Sequence, residues 1–236
     1  MTAALDYARY HFEGHDELCL RAGVGHPTTI LIIPPLFDEM NRMRRMLVDM
    51  MRLLNERGIG SALPDLPGMN ESLFPQEQTN LMICRQALVE CFATLPKCRH
   101  IASFRSGCLI DDFTDSAEKW RLSPVKGLKL LRMMMRARIA SDKEAGLSTD
   151  MTQLAVEAEQ GHVNLAGNHI SSTLFSELQD AAPEPSDIIR TAVLENNASA
   201  ANVRLAGSAL WLRAEPGDDM LLSGAIATDL TSWIAA

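Results

Sequence analysis

The spacing of apolar residues changes period along the chain, and that change separates strands from helices. Thr28–Ile33 is an unbroken β-branched and apolar run stopped by Pro34-Pro35, as expected of a strand buried on both faces of a parallel sheet. Residues 38–57 follow a helical period: Met40, Met43, Leu47, Met50, Met51 and Leu54 can share one face, and Gly58 and Gly60 close the segment. A second strand is expected at 59–63, a turn-rich stretch at 64–72, and a second amphipathic helix at 80–94. A third strand at 99–104 stops at Arg105-Ser106-Gly107, and residues 17–21 read as a short strand ahead of all these. This alternation predicts an α/β domain with a mostly parallel sheet and helices on both faces. In such a sheet ligands bind at the carboxyl ends of the strands, which singles out 34–45, 65–72 and 104–108.

The second half is less regular. The pattern predicts a strand at 119–125, a helix at 127–141 with Leu128, Leu131, Met134 and Met135 on its apolar face, and a helix at 148–160 opened by Ser148-Thr149-Asp150. A short strand at 163–170, a helix at 171–180 and a proline-containing connector at 181–186 follow. The last elements are expected as strands at 188–194 and 202–211 and a helix at 220–234. Residues from about 127 to about 185 interrupt the strand–helix rhythm, so a single domain over 1–236 is expected to carry a cap insertion there, lying over the strand ends.

Composition narrows the function classes. A formal net charge of −8 over 236 residues repels phosphate backbones, so no nucleic-acid partner is expected. The basic groups Arg42, Arg44, Arg45 and Arg132, Arg136, Arg138 read as solvated helix faces. Residues 1–10 lack the apolar core of a signal peptide, and no apolar run reaches the roughly 20 residues of a membrane span, which points to a cytoplasmic protein. The five cysteines have no metal-type or redox spacing. Cys84, Cys91 and Cys98 recur every seven residues as one helix face would, and all five are expected as reduced thiols with no metal and no cofactor.

Three motifs make the architecture specific. The strand Thr28–Ile33 runs into Pro34-Pro35-Leu36-Phe37; Asp65-Leu66-Pro67-Gly68-Met69-Asn70-Glu71-Ser72 forms a D-x-x-G turn; and Ser103-Phe104-Arg105-Ser106-Gly107 sits in a strand-to-helix turn flanked by small residues. In order and spacing they resemble the oxyanion loop, the turn after the next strand and the nucleophile elbow of the α/β-hydrolase superfamily. Within it, Pro-Pro-x-x-x-Glu-Met-Asn-x-x-Arg-Arg-Met over 34–46 resembles the exosortase A system-associated hydrolase 2 family. So do Arg105-Ser106-Gly107, Ala166-Gly167-Asn168-His169-Ile170-Ser171 and Ala206-Gly207-Ser208-Ala209-Leu210-Trp211 with Glu215-Pro216. The resemblance runs from about residue 28 to the C-terminus. It implies an α/β-hydrolase-like fold and a bacterial role beside exopolysaccharide or exosortase system proteins, without supplying a reaction.

The elbow carries an unusual residue for that fold. Its centre is Arg105, and a guanidinium holds its proton at any working pH, so it cannot attack a carbonyl as an activated serine does. The triad order Ser…Asp/Glu…His places the histidine after the last strand, yet no histidine follows His169. Glu195 ends the strand at 188–194, near the acid position, with no partner to orient. An ordinary Ser–His–Asp mechanism is therefore not expected. The other catalytic candidates are Ser106, Cys108 with a thiol acidified at a helix start, and His169 reaching in from the cap as a base.

As a binding group, Arg105 at a helix N-terminus calls for a compensating anion. Glu39 is the first protein candidate and Glu215 the second; an anionic ligand is the alternative. Of Arg44 and Arg45, one is expected to reach Asp65 or the crevice and the other to lie on the surface. The reading placed first is a triad-less relative binding a small, acyl or anionic molecule in a pocket lined by Phe37, Glu39, Asn41, Arg45, Arg105, Trp211 and Glu215. Behind it stand an esterase, thioesterase or acyltransferase using Ser106 or Cys108, and an assembly subunit docking through the Met-rich 130–135 region.

Overall fold

A computed structural model describes residues 5–186 and 188–236; the first four residues of the segment read above for a leader, and Asp187 in the connector to the penultimate strand, lie outside the described residues. The chain begins with a hairpin of β1 (Leu5–Phe12) and β2 (His15–Ala22), of which only the centre of the second strand was legible. There follow β3 (Thr28–Ile33), α1 (Asp38–Glu56), β4 (Ile59–Pro64), α2 (Leu81–Ala93), β5 (Cys98–Phe104) and β6 (Glu118–Leu122). The sheet resumes after residue 180 with β9 (Arg190–Leu194) and β10 (Val203–Leu205), and α6 (Met220–Ile234) comes last.

Eight strands make one sheet in the order β1-β2-β4-β3-β5-β6-β9-β10. The β1–β2 hairpin joins antiparallel through β2 to β4, and every pairing from β4 to β10 is parallel. This puts the carboxyl ends of β3 to β6, β9 and β10 on one rim, where βαβ connections force the intervening loops.

Each face of the sheet has its own core. On one side α1 and α6 cover Ile30, Ile32, Ala102, Phe104, Trp120 and Leu122, with Met43, Met46, Leu47 and Met50 fully buried between helix and sheet. On the other, α2 covers Leu31, Ile33, Ala62 and Ile101, and the same core continues into the segment between β6 and β9. That segment consists of α3 (Gly127–Glu144), α4 (Met151–Glu159), the hairpin β7 (His162–Leu165) and β8 (Asn168–Ser171), and α5 (Ser172–Asp180). Asp150 caps α4 in a reciprocal capping box with Gln153, as the Ser-Thr-Asp start suggested.

Several elements differ from the expectation, and Cys98, expected on one helix face with Cys84 and Cys91, opens β5 instead. The strand expected at 163–170 is a hairpin, because Ala166 and Gly167 both take positive φ (53° and 93°) and reverse the chain. The strand expected over 119–125 ends at Leu122, where Ser123 turns left-handed at φ 45°. The last strand is three residues long and does not reach Trp211; at Gly207, φ 138° and a Cβ position only 2.6 Å from Leu222 Cβ bring the loop against α6. The 130–135 region is no exposed docking face: Leu130, Leu131, Met134 and Met135 are buried in the core that contains Leu36 and Ile110.

Candidate functional site

The loops at the carboxyl ends of β3, β4, β5 and β6 each hold one non-glycine residue in the left-handed region: Phe37 (φ 56°), Asn70 (φ 54°), Arg105 (φ 55°) and Ser123 (φ 45°). Such backbone costs free energy that surrounding structure must offset, and it collects where side chains are held in unusual directions. At the third of these, β5 runs through Arg105 into a 3-10 helix, Arg105–Leu109. Gly107 is required there, since a Cβ would lie 2.3 Å from the Pro34 carbonyl oxygen. This is elbow geometry: a strained residue on a sharp strand-to-helix turn, packed backbone to backbone on the loop after β3.

The Arg105 side chain does not reach into open space. It is 5% exposed. Its Nη2 and Nε donate to Glu39 Oε1 at 2.8 and 3.3 Å, and Nη1 donates to the Ser123 carbonyl at 3.0 Å. The guanidinium carbon lies 4.4 Å from the centroid of the Trp211 ring, a cation–π stack. Glu39, 2% exposed, spends its other oxygen on Ser106, whose Oγ donates to Oε2 at 2.9 Å. Ser106 Oγ in turn accepts the Leu36 backbone N–H at 2.8 Å. One closed network thus joins the loops after β3, β5 and β6 to the loop after β10. The anion beside Arg105 is Glu39; Glu215 is exposed and forms no ion pair among the described residues.

The other sequence candidates fall in different places. Ser106 is fully buried, and its hydroxyl is engaged as donor and acceptor. Cys108 is buried and its Sγ donates to the Ser103 carbonyl; burial, followed by the charge of Asp111, pushes its thiol well above the ordinary value, the reverse of an activated nucleophile. The helix expected to acidify it is one 3-10 turn. His169 lies exposed on β8, where its backbone N–H donates to Gln76 Oε1 at 2.7 Å and its ring faces Asn164 of the same hairpin. Hydrogen bonding links none of the three to another. Arg45 is exposed and pairs with Asp49 and Asp218, whereas Arg44 points to the crevice side and pairs with Asp65 at 3.3 Å.

Open space lies beside the network, at the ends of β3 and β4. A cleft of about 430 Å³ is lined by Phe37, Asn41, Arg44, Asn70, Gln76 and Asn168, with the 68–74 turn along one wall. Only Phe37 and Asn41 of the expected pocket residues line it. Next to Glu39 there is a gap of about 40 Å³ against Leu130 and Met133, too small for more than water. The cleft wall is fixed through Asp65, whose Oδ1 accepts from Arg44 Nη1 and Asn70 Nδ2. Burial holds its carboxyl above the ordinary range against the pull of Arg44. From the segment between β6 and β9, Asn168 Nδ2 reaches Asp38 at 3.4 Å. Of Arg44 and Arg45, the one expected to reach Asp65 or the crevice is Arg44; sequence reasoning missed Asn70, Gln76 and Asn168 as neighbours, of which Asn70 and Asn168 stood in quoted motifs and nothing local signalled Gln76. No group of three His, Cys, Asp or Glu suited to a metal ion occurs among the described residues.

Solved structures share this architecture. Over 99% of both chains the fold matches mouse alpha/beta hydrolase domain-containing protein 10, at 12% identity and a TM-score of 0.62. Over 79% of this chain and 77% of the other it matches Est1E from Butyrivibrio proteoclasticus, solved with ferulic acid bound, at 16% identity and a TM-score of 0.56. The chain spans 40% of the length of an epoxide hydrolase from Vigna radiata that it also matches, at 14% identity and a TM-score of 0.43. No protein-family model matches the sequence, and none of the curated proteins does.

Proposed function

We propose that this chain, which has the α/β-hydrolase fold of a mostly parallel eight-stranded sheet between helices, binds a small polar or anionic molecule and does not turn it over by Ser–His–Asp chemistry. The observation that carries this reading is the closed Arg105 network. The nucleophile position holds a guanidinium already bonded to Glu39 and Ser123, and the loop after the last strand supplies Trp211 where the fold would place histidine. The Leu36 amide, placed as an oxyanion donor would be, is spent on the Ser106 hydroxyl.

The ligand site in this reading is the cleft of Phe37, Asn41, Arg44, Asn70 and Asn168, with the segment from residue 127 as its cap. Amide side chains and one guanidinium supply donors, and Phe37 supplies an apolar face. The resemblance to the exosortase-associated family supports a ligand from exopolysaccharide metabolism. Two measurements test the proposal. Wild-type protein is expected to hydrolyse a panel of p-nitrophenyl esters and thioesters no faster than buffer. Turnover abolished by Ser106→Ala or Cys108→Ala would replace the reading with an unorthodox hydrolase or acyltransferase. In thermal-shift titrations with small carboxylates and acidic sugars, Arg44→Met is expected to remove the response of the wild type. If no ligand shifts the wild type, or if Arg44→Met leaves the shift unchanged, the cleft is not the site.

A further inference from the structure

The opposite end of the sheet holds a second, smaller pit. It opens at the amino ends of β3 and β4, between the loop joining β2 to β3 and the loop joining α2 to β5, and has a volume of about 180 Å³. Arg21, His26, Thr29, Ser61, Thr94 and Lys97 contribute its polar side chains, and no acidic side chain lines it among the described residues. In a chain of net charge −8 this is a local reversal of sign.

Two of its polar groups are satisfied, His26 Nε2 sharing a 2.8 Å hydrogen bond with Asn55 Oδ1 and Thr94 Oγ1 donating to the Cys91 carbonyl at 2.7 Å, and the others are under-used. Arg21 makes one hydrogen bond among the described residues, from Nη2 to Thr94 Oγ1 at 3.2 Å, and its buried Nε has no partner. Ser61, on β4 and 1% exposed, has a buried Oγ with no partner. Among the described residues Lys97 Nζ reaches only the His26 carbonyl, at 3.4 Å, and forms no ion pair. Asp6 stands across from Arg21 in the β1–β2 ladder but does not pair with it. Buried donors without acceptors cost free energy, and Arg21 has no ion-pair partner among the described residues. An anion with several acceptor oxygens resolves both at once.

We propose that this pit binds the phosphate group of a small phosphorylated molecule, or inorganic phosphate itself. Arg21 and Lys97 supply charge-assisted donors and Ser61 a hydroxyl. The volume is below the roughly 300 Å³ at which pockets begin to enclose drug-sized ligands, so it suits the head group and not an extended molecule. The site is independent of the cleft at the carboxyl ends and of its reading.

Isothermal titration with inorganic phosphate and with glycerol 3-phosphate tests this on the full chain, with chloride as control. Saturable binding is expected in the wild type. It should weaken about tenfold or more in Lys97→Ala, whose side chain is exposed and unneeded for folding, and similarly in Arg21→Gln. Ser61→Ala should weaken it too while leaving the thermal midpoint at or above the wild-type value. A tighter monoester than inorganic phosphate would identify a metabolite as the source, and equal affinities the free ion. The proposal is overturned if the wild type shows no saturable binding. It is also overturned if Lys97→Ala and Ser61→Ala bind as the wild type does, even with Arg21→Gln less stable, which would leave Arg21 only steadying the last turn of α2 through Thr94.

Discussion

Arg105 and Glu39 illustrate how a buried ion pair is strong against loss of one partner and weak as a net stabiliser. Arg105→Ser leaves the Glu39 carboxylate buried without its guanidinium, and removing one partner of such a pair costs about 3–5 kcal/mol. Urea denaturation should show that loss, and on the proposed reading the same variant should not gain ester hydrolysis, because no histidine belongs to the hydrogen-bond network around the elbow. Gly107→Ala, which drives a methyl group into the Pro34 carbonyl, should lower the urea midpoint by the equivalent of about 1–3 kcal/mol or prevent folding. At this scale the sequence was half legible. Arg105 on the elbow and Glu39 as its first partner followed from motif and helix-end electrostatics. The Ser123 carbonyl and the use of Ser106 as a bridge did not, because a backbone acceptor 18 residues away leaves no local pattern. Arg44 takes the crevice side and Arg45, expected among the pocket residues, the surface; the choice between them was open because adjacent helix positions differ by about 100° and the helical period fixes the apolar face better than the rims.

Among the elements, β3, β4, β5, α1 and α2 were readable because burial on both faces, or on one helical stripe, writes a strong period. Elements whose shape depends on a positive φ were not: the β7–β8 reversal at Ala166-Gly167 lacks the Asn-Gly signal of such turns. The β1–β2 hairpin was half missed because β1 is an edge strand with Tyr7 and Arg9 facing water. The β7–β8 hairpin meets the turn at 76–78 through one hydrogen bond, from the His169 N–H to Gln76 Oε1. Gln76→Ala should therefore raise hydrogen exchange at His169 without altering exchange in β3 or β5, as read by two-dimensional NMR. The thiols give a second check. All five cysteines are buried, so the native protein should react slowly with a disulfide reagent and yield all five thiols only in denaturant.

For the whole molecule, opposed carboxylates set the dependence of stability on pH. Burial raises the carboxyl of Glu17, against the Ser72 hydroxyl that pulls it down, and its Oε2 has no partner. A raised folded value means the folded state keeps a proton that the unfolded chain has released. That contribution is complete below the unfolded value and is lost as pH rises through the folded one. Asp219 and Asp229 run the other way. Burial opposes their charge, but Ser208 and the Leu222 N–H at one, and Arg190 and Trp120 at the other, hold them below the ordinary range. Their contribution is present above the unfolded carboxylate value and is lost as pH falls through the folded one. Urea midpoints measured against pH should thus decline on both sides of a maximum. Glu17→Gln should flatten the decline on the higher-pH side, and Asp229→Asn should lower the plateau.

The network around Arg105 also constrains which sequences are reachable from this one. A route to a serine nucleophile must change the elbow residue, remove or re-pair Glu39, release the Leu36 amide from Ser106, and make room for a base beside the elbow, where Trp211 now stacks on Arg105. The first of these changes alone exposes the full cost of an unpaired buried charge, while none alone supplies a proton relay. Stepwise mutation meets a fitness valley several substitutions wide. The interlocked side chains therefore act as a ratchet, favouring drift that keeps Arg105, Glu39, Ser106 and Trp211 together over any that exchanges them one at a time.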